Sequence, residues 1–81
     1  MKLYLISQDK NNDYDTYSDA VVAAKTEERA RMIHPGGHKN WDGQADEYSS
    51  WCSAEFVKVE YIGTAKMGTK EGVVCSSFHA G

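Results

Sequence analysis

The features that usually announce a chemistry are scarce in this chain. Only one of its 81 residues is proline and only two are cysteine, and the two cysteines form no CxxC pair. No nucleophile elbow, HExxH helix or glycine-rich phosphate loop occurs, so no motif dictates a reaction. The longest apolar run is five residues, Ala20 to Ala24. That is far too short for a membrane-spanning helix, and no secretory segment is expected either. Basic residues are also few and scattered: nine Lys and Arg face twelve Asp and Glu, a formal net charge of −3. Duplex DNA or RNA is therefore a poor partner, because phosphate neutralisation by a basic patch supplies most of such affinity. A small anion stays open, since one or two cations with backbone amides suffice to hold it. A basic protein surface stays open too, reached by electrostatic steering.

What is present is a globular balance: 41% hydrophobic, 26% charged and 11% aromatic residues, too apolar for a disordered segment. Residues 1–81 are expected to form one small domain. A domain of this size has a thin core, and association into a homo-oligomer is a natural remedy. Without a secretory segment, Cys52 and Cys75 are expected as reduced thiols in the cytoplasm. Cys52, Cys75, His34, His38 and His79 lack paired ligand spacing, so neither a metal nor any other cofactor is expected.

Alternation makes Lys2–Gln8 a strand, with Leu3 and Leu5 facing one way and Tyr4 and Ile6 the other. Apolar residues on both faces suggest an inner strand or an oligomer contact. Asp9–Asp15 reads as a hairpin loop; Tyr14 and Ala20 stand where a calcium loop needs glycine and a bidentate acid. Asp19–Lys25 reads as a second strand. Thr26 is then an N-cap, followed by Glu27 and Glu28 in the first turn of a helix running to His34. Pro35-Gly36-Gly37 stops that helix. After an irregular stretch over residues 36–50 come strands at Phe56–Ile62 and Gly72–Phe78. The expected fold is α+β: a four-stranded antiparallel sheet with one short helix in the order β-β-α-β-β, and a long aromatic-rich loop.

Trp41, Tyr48 and Trp51 cluster in and beside that loop, near His34 and His38. Large flat rings with a polar handle suit stacking on a base or anchoring a protein. The plainer alternative is that one tryptophan plugs the thin core. Ser76 and Ser77 at a strand end, with Phe78, could hydrogen-bond ribose or phosphate oxygens and pack a base. Polar residues on an edge strand explain the same letters. The candidate ligand-binding set is Tyr14, His34, Trp41, Trp51, Ser76, Ser77 and Phe78. Cys75 or Ser77 with a histidine would satisfy the residue types of a hydrolase, but without supporting motifs no catalytic residues are assigned.

Tyr14, Asp15, Tyr17 and Ala20–Ala24, running into Thr26–Glu28 and ending at His34–Gly37, resemble small accessory proteins encoded by phages and prophages. Val57–Ala65 and Cys75–Phe78 extend the likeness. The resemblance implies a non-enzymatic counter-defence role in the host cytoplasm. Such proteins act as oligomeric sponges that sequester a nucleotide-derived immune signal. Alternatively, they are inhibitors that mask the surface of a basic host defence protein, as anti-CRISPR proteins do.

Overall fold

The computed structural model describes residues 1–10, 16–46 and 49–79, with Phe78 and His79 described by their backbone alone. Four strands form one antiparallel sheet: β1 (Lys2–Ser7), β2 (Thr16–Ala24), β3 (Lys58–Thr64) and β4 (Gly72–His79). Their spatial order is β3-β1-β2-β4, so β1 and β2 are inner strands and β3 and β4 are edges. Among the described residues one helix, α1 (Glu27–Arg31), follows β2, and a 3₁₀ turn at Ala54–Phe56 precedes β3. The α+β class read from alternation and capping is the observed one. No helix among the described residues is long and apolar enough to cross a membrane.

Register decides which face is buried. Tyr4 lies opposite Val22 and Ile6 opposite Ala20, and all four side chains are buried. They meet Ala30 of α1 together with Trp51, Cys52 and Val57. Leu3, Leu5 and Val21 occupy the other face and are half-buried. The sheet is thus covered on one side, as the period-2 pattern of β1 requires. Trp51, Ile6 and Val22 are its largest fully buried side chains.

Several element boundaries differ from those expected. β2 begins at Thr16, not Asp19, because Thr16 and Tyr17 pair with His79 and Phe78. A register shift between Tyr17 and Asp19 hides this extension from an alternation test. The helix ends at Arg31, not His34. Ile33 donates to the Ala30 carbonyl at 3.1 Å, an i to i−3 bond that closes the last turn. Pro35 disfavours helical geometry at the residue before it. Phe56 falls in the 3₁₀ turn, and β3 starts two residues later at Lys58.

The segment after α1 is tied down by polar contacts. Ala54 donates to the Gly43 carbonyl at 2.9 Å, and Ala45 donates to Ser53 Oγ at 2.9 Å. Gly43 has a φ of 81°, and an added Cβ would meet the Met32 side chain at 3.0 Å, so this position calls for glycine. Arg31 reaches across to the carbonyls of Ala54 and Val57, joining the helix to the 3₁₀ turn. Tyr17 donates to the Ser50 carbonyl at 2.9 Å, which seats Trp51 over β2.

Candidate ligand-binding cleft

The side chains with chemical potential gather around His34. Its Nδ1 accepts the Gly36 N–H at 2.9 Å, the local turn that Pro35 sets up. That bond leaves the Nδ1 lone pair occupied and places the proton of the neutral ring on Nε2, which lies 3.4 Å from Ser50 Oγ. Only 3% of His34 is exposed. Burial, reinforced by the charge of His38, lowers its pKa to about 4, so at neutral pH it is an uncharged ring.

Three rings surround it. His38 stacks on His34 with centroids 4.0 Å apart and planes 9° from parallel. Trp41 meets His34 edge-on at 5.1 Å and 78°, and Tyr17 does so at 6.0 Å and 83°. Gly36 makes the stack possible. A Cβ there would lie 3.1 Å from His34 Nδ1 and 3.2 Å from His38 Nε2, crowding both rings.

His34 and His38 form one wall of a cleft of about 570 Å³ between α1, residues 37–39 and the start of β4. Met32, Ile33 and Val73 supply apolar lining, while Arg29 and Lys39 with Glu28 and Glu71 supply charge of both signs. Arg29 is held by Glu71 through two bonds, Nε to Oε1 at 2.6 Å and Nη2 to Oε2 at 2.5 Å. This fork geometry fixes the guanidinium plane at the rim. The hydrogen bond from Arg29 pulls the Glu71 carboxyl below its ordinary pKa, and Glu71 in turn raises that of Arg29. Arg29 is positioned by α1, whose Thr26 cap accepts the Arg29 N–H at 3.2 Å.

The expected binding residues part company here. His34 and Trp41 come together, but His34 is a buried hub, and the ring left exposed is His38. Trp51 is fully buried in the core and has no free ring face, which corrects its assignment as a stacking residue. The thin core needs one large plug, and Trp51 is that plug. Ser76 and Ser77 are exposed on β4 opposite Ala20 and Asp19, hence on opposite faces of the sheet. Phe78 is paired with Tyr17 through the backbone register. Tyr14 and Tyr48 lie outside the described residues. Sequence reasoning missed Arg29, Lys39 and Glu71 as a group. Arg29 and Glu71 are 42 residues apart, and only the folded sheet brings the start of β4 beside α1.

Cys52 is buried and Cys75 exposed, and both are free thiols. Burial raises the Cys52 pKa. Cys75 is paired with Val21 on the sheet face away from the histidine stack. Among the described residues no three His, Cys, Asp or Glu side chains converge as metal ligands. No protein-family model, curated protein or solved structure matches this chain.

Proposed function

We propose that this protein is a non-catalytic binding module that sequesters a small anionic, nucleotide-type ligand in the His34–His38 cleft. The observation that carries the reading is a flat imidazole stack beside two cations, Arg29 and Lys39, in a space of about 570 Å³ that Glu28 and Glu71 also line. That volume lies within the roughly 300–1,000 Å³ range of small-molecule sites. His38 presents a π surface to a base, while Arg29 and Lys39 meet phosphate. Glu71 keeps Arg29 oriented and competes with the ligand, so binding requires a phosphate that outbids a carboxylate at the same fork. In the setting implied by the phage-type resemblance, the ligand is an immune signal made from a nucleotide, titrated away in the host cytoplasm.

A panel of cyclic and ADP-ribose-type nucleotides tests this by thermal shift. At 100 times its Kd, a ligand stabilises the folded state by about 2.7 kcal/mol. The expected result is a rise in Tm of several degrees with at least one nucleotide, abolished in His38→Ala and in Lys39→Ala. No shift with any nucleotide at millimolar concentration contradicts the reading.

A further inference from the structure

The two edges of the sheet are treated differently by the sequence. The β3 edge carries Lys58 and Glu60, charges that discourage another strand from adding to it. The β4 edge, eight residues from Gly72 to His79, contains no Lys, Arg, Asp, Glu or Pro. Its residues 74–77 are exposed, with Val74 at 55%. Among the described residues no strand covers its outer side.

The charges on β3 hinder any added strand, whereas β4 carries no Lys, Arg, Asp or Glu for a second copy of itself to oppose in any register. We propose that β4 pairs antiparallel with β4 of a second copy about a two-fold axis perpendicular to the sheet, making one eight-stranded sheet.

The symmetry restricts the register. A perpendicular two-fold keeps each face on its own side, so one residue must lie opposite itself. The register of β4 against β2 shifts between Val73 and Cys75, which makes Val74 the bulged residue. Setting Val74 aside, seven positions remain from Gly72 to His79, and Ser76 is the central one. Placing Ser76 on the axis pairs all seven. Cys75 then faces Ser77 of the second copy, and Val73 faces Phe78 of the second copy. Each monomer's cleft is lined by Gly72 and Val73, so the second strand lies beside the cleft rim in the plane of the sheet. The pairing does not rest on the ligand reading; only this consequence for the cleft does.

Sedimentation equilibrium and cross-linking test the proposal. The expected mass is twice the 9.0 kDa of one chain. Ser76→Lys, at an exposed position, puts two ammonium groups face to face and should return the species to a monomer with an unchanged circular dichroism spectrum. Thr64→Lys at the end of β3 should leave the dimer intact. Directly opposed residues in an antiparallel pair have Cα atoms about 4.5–5.5 Å apart. A disulfide spans about 4.4–6.8 Å. Ser76→Cys in a Cys75→Ser background should therefore cross-link under mild oxidation, at least tenfold faster than Cys75 does in the natural sequence. A monomer at every concentration overturns the proposal, as does a dimer indifferent to Ser76→Lys. Faster cross-linking through Cys75 overturns the register. Ligand binding by a strict monomer would overturn this pairing while leaving the cleft reading intact.

Discussion

His34 is a histidine held neutral, and its state couples the cleft to pH. Its pKa is about 4 in the folded chain against an ordinary value of 6.5. Below pH 6.5 the unfolded chain takes up a proton that the folded chain refuses until about pH 4. Stability from this group is complete above pH 6.5, falls between pH 6.5 and 4, and levels off below. A shift of this size corresponds to a loss of roughly 2–3 kcal/mol across that window. Urea titrations at intervals from pH 7.5 to 4 should show it, and His34→Asn, which can still accept the Gly36 N–H, should flatten the slope. An unchanged slope in His34→Asn would mean that other groups carry the pH dependence.

Trp51 is the second decisive residue. Its Nε1 is buried with no hydrogen-bond partner among the described residues, so the core tolerates an unsatisfied donor to gain the volume of an indole. Trp51→Ala should cost about 3–5 kcal/mol. That approaches the whole stability of a domain of this size, at about 0.05–0.15 kcal/mol per residue. Trp51→Phe should cost much less, because it also removes the unpaired N–H. Equal losses in the two variants, measured by chemical denaturation, would contradict this account of the core.

Among the elements, α1 is the weakest by itself, since five residues cannot sustain a helix in water. Its capping by Thr26 and packing through Ala30 hold it, and it carries Arg29 to the cleft. Thr26→Ala should lower stability by about 1 kcal/mol. In a thermal melt that is a fall of about 4–8 °C. A fall below about 1 °C would show that packing alone fixes the helix.

The elements also show what a sequence can disclose. Alternation in β1 and β3 and the Thr26 cap are local signals, and each was legible because side chains within a few residues decide it. The start of β2 was not legible, because Thr16 and Tyr17 are held as strand by β4, some sixty residues later in the chain. The same reason hid Arg29 with Glu71. His34 and Trp41 were visible as a cluster, but the burial of His34 was not, because it depends on rings and backbone brought to it from β2 and from Ser50, far apart in the chain. The burial of Trp51 follows from the need to fill a thin core, and composition alone cannot say which tryptophan fills it.

At the scale of the whole molecule, a sheet covered on one side leaves little material for an enclosed active site. The chain instead builds a shallow cleft at the junction of helix, turn and edge strand, the three places where cations and a free ring converge. In the proposed reading, Arg29 and Lys39 meet the anionic part of the ligand, set among the carboxylates of Glu28 and Glu71 in a chain of net charge −3. That reading makes this cleft the place where the ligand is held.

The most direct test of that claim is a map of amide chemical shifts in a 15N-labelled sample titrated with an ADP-ribose-type or cyclic nucleotide. The account predicts saturable changes concentrated at Arg29, Gly36 to Lys39 and Glu71 to Val73. Changes confined to the Leu3, Leu5 and Val21 face, or none at millimolar nucleotide, would contradict it.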